Sequence, residues 1–171
     1  VLIGSMNPEE GRLRPQIMDR FGLRVPVQGL SEIDDRHEVY RRVRRYQSNK
    51  RRFVSEWAAA MSAARDEIIE ARELLKSTEL TERAVHVGLT LVQALGIDSH
   101  RAEYAMFEAA RAYAAAEGRT VADVDDVRAV APMALRQRRS EFMANYFDQQ
   151  VAEDDAIRGQ FDTLLGDYDE A

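Results

Sequence analysis

Apolar positions in the second quarter of the chain recur at alternating steps of four and three. Trp57, Met61, Ala64, Ile68, Ala71 and Leu75 set this rhythm and predict a long helix from about Arg51 to Leu75. Such a stripe is the face a helix turns toward other helices. Thr81 is placed to cap a following helix whose stripe is Val85, Gly88, Leu89, Val92 and Leu95, closed by Gly96. Ser99 opens the next, with Ala102, Ala105, Met106, Ala109, Ala110 and Tyr113 facing inward and Gly118 ending it. A further helix is predicted from Asp123 to about Arg139, with Val127, Val130, Ala131, Ala134 and Leu135 as its stripe. Pro132 lies inside that helix and removes one backbone donor, which predicts a kink. Upstream, Ser31 with Asp34 has the form of a capping box for a helix to about Gln47, broken at Ser48-Asn49. A weaker helical pattern spans Glu141 to Ile157.

The first thirty residues read differently. Val1-Leu2-Ile3-Gly4 has the character of the end of a buried strand, and Ser5 to Gly11 is rich in turn formers. Pro15 to about Phe21 is a short helical piece with proline at its first position, and Gly22 ends it. Leu23-Arg24-Val25-Pro26-Val27 suits an edge strand, because Pro26 cannot donate to a ladder. A chain that opens on a central strand is expected to start partway through a domain. The predicted organisation is mainly α: a remnant of an α/β core at 1–30, a helical bundle at 31–140, and an acidic helix and tail at 141–171.

Composition narrows the function classes. The 171 residues are 45% hydrophobic and 32% charged, a balance that suits solvated helices. No run of apolar residues is long enough to span a bilayer, and no signal-peptide pattern is present, so a cytoplasmic location is expected. The absence of cysteine removes disulfides, thiolate metal sites and cysteine nucleophiles, and the three histidines His37, His86 and His100 are scattered, so no metal site is expected. The net charge of −6 is uneven: residues 141–171 hold nine acidic side chains and one basic one, Arg158.

Four features bear on chemistry, each with two readings. Asn7 directly follows the predicted strand, at the sheet edge where open α/β folds bind ligands, or it is simply a turn former before proline. Arg14 and Arg20 flank the short helix, where a guanidinium reaches a neighbouring subunit's phosphate or makes a surface ion pair; Asp19 sits beside Arg20. Arg101 falls in the first turn of its helix, where the macrodipole disfavours a cation. Either a bound phosphate or a carboxylate such as Glu103 resolves that conflict. Arg41, Arg42, Arg44 and Arg45 form a solvated face or a docking surface for an acidic partner, rather than a nucleic-acid reader, since no aromatic platform is visible beside them. No phosphate loop of the form G-x-x-x-x-G-K-[ST] occurs, and no apolar strand ends in Asp-Glu to hold Mg²⁺.

The run from Gly4 to Leu23, containing Asn7-Pro8-Glu9-Glu10-Gly11, Leu13-Arg14-Pro15-Gln16 and Asp19-Arg20-Phe21-Gly22-Leu23, closely resembles the segment from sensor 1 to the arginine finger of magnesium chelatase ATPase subunits, members of the AAA+ superfamily. Arg101-Ala102-Glu103 through Glu117-Gly118-Arg119-Thr120 resembles the sensor-2 helix of that family, and Asp125 to Arg136 the final helix of its lid. The resemblance covers roughly residues 1–140. It implies a helical AAA+ lid bundle preceded by a remnant of the nucleotide-binding core. It further implies that Asn7 is sensor 1, Arg20 the finger offered in trans, Asp19 its support, Arg101 sensor 2, and Arg14 a further nucleotide contact. For the intact protein it implies ATP and Mg²⁺, a homo-oligomeric ring of hexamer type, and two partners: a second AAA+ subunit with an integrin-like domain and a large porphyrin-binding subunit. The activity implied is Mg²⁺ insertion into protoporphyrin IX; the stretch on its own is expected neither to bind ATP well nor to hydrolyse it. The alternatives are a MoxR-like or chelatase-like remodelling chaperone and a non-catalytic binding module.

Overall fold

A computed structural model describes residues 2–7, 9, 14–138 and 149–160. The chain divides into two compact units, Val1–Arg136 and Gln137–Ala171. The first contains helices α1 (Pro15–Met18), α2 (Ile33–Ser48), α3 (Lys50–Leu75), α4 (Glu82–Ala94), α5 (His100–Ala116) and α6 (Val124–Leu135), with two short strands, β1 (Glu79–Leu80) and β2 (Val121–Ala122). In the second, residues 149–160 are helical; the rest of the helix expected from Glu141 lies outside the described residues. The mainly α expectation therefore holds.

The core lies where α4, α5 and α6 meet. Alanine lines the inner stripe of α5 at Ala102, Ala110 and Ala114, with Met106 between, and all four are fully buried. Side chains this small let the α6 stripe of Val127, Val130, Ala131 and Ala134 come close, and every one of these is also buried. Gly88 serves the same end on α4, since its Cα faces the Phe107 ring and the Met106 methyl of α5. Gly96 and Gly118 close α4 and α5 with φ of +61° and +73°, the left-handed conformation glycine adopts without strain.

The caps of α4 and α6 interlock. Thr81 Oγ1 accepts from the Ala84 amide and donates to Asp123 Oδ1 at 3.0 Å. Asp123 caps α6 in turn, completing a capping box with Asp126, whose Oδ2 accepts from the Asp123 amide at 2.9 Å. Arg119 closes a fork on the buried Asp126 carboxylate at 2.5 and 2.8 Å. That guanidinium holds the Asp126 carboxyl below the usual carboxylate range. The amide of Val124, then Thr81, lowers Asp123 likewise. Beside these caps β1 and β2 pair in parallel, Glu79 with Val121 and Leu80 with Ala122.

Several local expectations fail, and Leu89, Leu95 and Tyr113, predicted to face inward, are exposed. Residues 2–4 and 23–27 form no strand, and Leu2, Ile3 and Val27 are largely exposed. A strand needs a neighbour to take its ladder bonds, and no described strand lies beside either segment. Ser31 does not cap α2: Glu32 occupies that position, and the Ser31 hydroxyl donates to the Glu32 carboxylate instead. The α3 seam is largely uncovered, with Met61 68% and Ile68 55% exposed, while only its C-terminal members Ala71 and Leu75 are half-buried. Over its 26 residues, the side chains of α3 that gain cover beside α5 are at its C-terminal end, Ala71, Leu74 and Leu75. There Arg111 of α5 donates to the carbonyls of Thr78 at 2.7 Å and Leu75 at 3.1 Å, satisfying acceptors the helix end leaves open. Thr78, fully buried, donates its hydroxyl to Leu74 O.

Candidate functional site

The start of α5 gathers the residues singled out for chemistry. Ser99 takes the N-cap position, but its hydroxyl does not cap the helix. It is 3.2 Å from Asp19 Oδ1 and donates to it across 80 positions of sequence. Arg101, in the first turn of the helix, places Nη1 3.3 Å from Asp19 Oδ2. The cation that the helix dipole disfavours is thus neutralised by a carboxylate, and that carboxylate lies where the dipole attracts an anion. Glu103 has another partner, His100 Nδ1 at 3.0 Å. The Arg101 side chain remains 67% exposed and the Asp19 side chain 36%, so the pair faces solvent.

What holds Asp19 there is a clamp that local pattern does not reveal. The backbone turns sharply after α1, with Arg20 N bonding Ile17 O and Phe21 N bonding Met18 O. This turn ends the helix at Met18, where the sequence suggested Phe21. Arg24 then ties the segment to the end of α6. Its amide donates to Met133 O at 2.9 Å, and its guanidinium to Arg136 O at 2.6 Å and Met18 O at 2.5 Å. A cation on carbonyls at a helix C-terminus is favourable for both hydrogen bonding and the dipole. Gly22 faces Ala105 of α5 and Gly4 faces the Phe21 ring, each near enough that an added Cβ would make ordinary van der Waals contact.

Of the sequence-derived candidates, the structure brings together Asp19 and Arg101, with Arg20 adjacent. The Arg20 side chain is exposed and makes no ion pair among the described residues. Arg14 is also exposed, and its carbonyl accepts the first bonds of α1 from Ile17 and Met18. Asn7 is exposed and its Oδ1 accepts from the Glu9 amide at 3.3 Å, a turn bond; it makes no hydrogen bond to Asp19, Arg20 or Arg101. Pro8 and residues 10–13 of the same motif lie outside the described residues. Ser99 and Arg24 were missed as site residues. Ser99 carried a capping signal that pointed to the wrong partner, and Arg24 carried none, since its partner at Arg136 is 112 positions away.

The exposed guanidiniums of Arg20 and Arg101 suit a polyphosphate anion approaching from solvent. A divalent cation finds no comparable donors: among the described residues no group of three or more His, Asp or Glu could hold a metal ion. Nor, among them, is any helix long and apolar enough to cross a membrane.

Residues 90–159 match the AAA lid domain. The chain is 39% identical over 168 residues to the magnesium-chelatase subunit ChlI homolog of Methanocaldococcus jannaschii, covering 90% of this chain and 46% of that protein. It is 44% identical over 138 residues to the magnesium-chelatase 38 kDa subunits of Acidiphilium rubrum and Rhodobacter capsulatus, covering 81% of this chain and 40% and 39% of those proteins. The chain spans less than half the length of each of these relatives. Along most of its own length it therefore resembles magnesium-chelatase subunits, and the helix of Arg101 lies within the stretch that matches the AAA lid domain.

Proposed function

We propose that the chain is the sensing and trans-acting part of an AAA+ motor subunit of a magnesium chelatase, coupling ATP hydrolysis to Mg²⁺ insertion into protoporphyrin IX. The observation that carries the reading is the joint one at α5: a lid arginine, Arg101, sits beside the residue that precedes the exposed Arg20. The relatives named magnesium-chelatase subunits support the same assignment.

In this reading residues 1–30 belong to the nucleotide-binding core, 31–140 to the lid and 141–171 to an acidic extension. Arg101 contacts the nucleotide of its own subunit as sensor 2, and Arg20 reaches the nucleotide of the neighbour as a finger. Asn7 orients water as sensor 1, with Arg14 near the phosphates. Asp19 holds Arg101 when no anion is present and fixes the turn from which Arg20 projects. ATP supplies the driving free energy; the groups that grip its phosphates and magnesium are supplied outside these residues. The working assembly is a cytoplasmic homo-oligomeric ring of hexamer type. It acts with a second AAA+ subunit bearing an integrin-like domain and with a large porphyrin-binding subunit, in chlorophyll or bacteriochlorophyll synthesis.

The test is subunit mixing with the full-length protein that contains this chain. Doping wild-type protein with Arg20→Ala subunits should depress ATP turnover more steeply than their mole fraction, because each lost finger silences a neighbour's site. A loss strictly proportional to mole fraction refutes action in trans. The 171-residue chain alone should show no calorimetric ATP binding at millimolar nucleotide, and tight binding there would contradict the division of labour.

A further inference from the structure

The hairpin of α2 and α3 has no buried residue in either helix. Its tip carries a charge run: from Arg36 to Arg52 there are eight Arg or Lys side chains and a single carboxylate, Glu38. The structure adds what the sequence did not show, an aromatic row beneath these cations. Tyr46, Phe53 and Trp57 follow one another with ring centroids 5.8 and 6.0 Å apart. Arg42 lies over Trp57 at 4.8 Å, Arg45 over Phe53 at 5.8 Å, and Lys50 over Tyr46 at 5.6 Å. From Trp57 the apolar stripe continues along α3 through the exposed Met61.

Charge on this tip is only partly answered within the chain. Glu38 pairs with Arg41 and Arg42, and Glu56 with Arg45 and Arg52. Arg44 and Arg51 are exposed and have no carboxylate partner among the described residues. An uncovered apolar strip rimmed by unanswered cations is the complement of a segment that is apolar on one side and acidic on the other. Single-stranded nucleic acid fits less well. Base stacking needs open ring faces, and here each ring already carries a cation.

We propose that the tip of the α2–α3 hairpin is a docking surface for an acidic amphipathic polypeptide segment of a partner protein, with Arg44 and Arg51 taking its carboxylates and the Trp57–Met61 strip its apolar side. The proposal does not depend on nucleotide chemistry, and it extends to any assembly in which this chain works.

The experiment is a fluorescence anisotropy titration of the 171-residue chain with a fluorescein-labelled amphipathic helix of glutamate and leucine. Binding is expected near 10 µM, weakening as salt is raised. Trp57 is the only tryptophan and reports directly: its emission should shift to the blue when an unlabelled copy of the peptide covers it. The exposed-site variant Arg44→Glu/Arg51→Glu should keep the wild-type circular dichroism and melting temperature and bind at least tenfold more weakly. Absence of binding, or binding unchanged in that variant, overturns the proposal. Tighter binding of oligothymidylate than of the peptide overturns it in favour of nucleic acid. A blue shift of Trp57 that grows with protein concentration alone overturns it in favour of a second copy of the chain.

Discussion

Asp19 and Arg101 stand 82 positions apart in sequence and 3.3 Å apart in space. The pair links the turn that projects Arg20 to the first turn of α5. Both side chains are partly in water, so their attraction contributes less than about 1 kcal/mol to stability. Asp19→Asn keeps an acceptor for Ser99 and removes only the charge. Its melting temperature should stay within about 2 °C of wild type. Under the proposed finger role of Arg20, ATP turnover of the full-length protein should nonetheless fall about tenfold, since a misplaced guanidinium costs far more at a transferring phosphoryl group than in the folded ground state. Unchanged turnover would reduce the pair to a surface ornament of the fold.

Arg24 gives a second, independent handle on the same segment. Its two guanidinium bonds go to carbonyls on different elements, Met18 and Arg136. Arg24→Ala leaves the bundle core untouched and removes both guanidinium bonds, while the backbone bond to Met133 O still ties residues 14–24 to α6. Local opening should become about tenfold more populated, and tryptic cleavage after Arg20 about tenfold faster, while cleavage within α5 and α6 is unaltered. Equal protection of Arg20 in wild type and variant would show that other contacts, such as Gly22 on Ala105, suffice to hold the segment.

These two contacts also mark where sequence reasoning stopped. The caps at Thr81 and Asp123, the glycine stops at Gly96 and Gly118, the stripe of α6 and that of α5 apart from the exposed Tyr113 were legible because each is decided within a few residues. Asp19 with Arg101 and Arg24 with Arg136 are decided by how distant segments meet, and no local rule contains that. The α3 seam fails for a related reason. Trp57, Met61 and Ile68 have the spacing of a buried face, and spacing alone cannot tell whether a partner is there to bury it. The same holds for the strands expected at 1–4 and 23–27, whose described residues have strand composition and no strand beside them among the described residues. The arginines at 41–45 were legible as a charged face. Their aromatic support was hidden because Phe53 and Trp57 come from the next helix.

Gly88 predicts a stability effect that helix propensity alone would assign the wrong sign. Alanine in the middle of α4 would gain about 1 kcal/mol over glycine in propensity. A Cβ there would meet Phe107 Cε1 at 2.6 Å and the Met106 methyl at 2.9 Å. The methyl can move, but the ring is held between α4 and α5, and overpacking of this kind costs about 1–3 kcal/mol. Gly88→Ala should therefore lower the melting temperature by several degrees, measured by circular dichroism at 222 nm. A rise would mean the Phe107 ring yields freely and the close approach of the two helices is incidental.

Asp126 sets the acid limit of the helical bundle. Its carboxylate is 2% exposed and receives both arms of Arg119 as well as the Asp123 amide. Its folded-state pKa lies below that of the unfolded chain, with the Arg119 hydrogen bond the largest cause. A carboxyl depressed in this way stabilises the fold above its unfolded value near 3.9, and the contribution disappears as pH falls through the folded value. Asp126→Asn cannot carry the charge, so it should lose about 2 kcal/mol at pH 7, a fall of about 8 °C in melting temperature. The gap between wild type and variant should then narrow steadily below pH 4, since acid removes from the wild type what the substitution has already removed. Asp123, lowered by the Val124 amide, titrates in the same direction and leaves the variant some acid sensitivity of its own. A gap that stays constant from pH 7 to pH 2.5 would show that the Arg119 fork stabilises by shape rather than by charge.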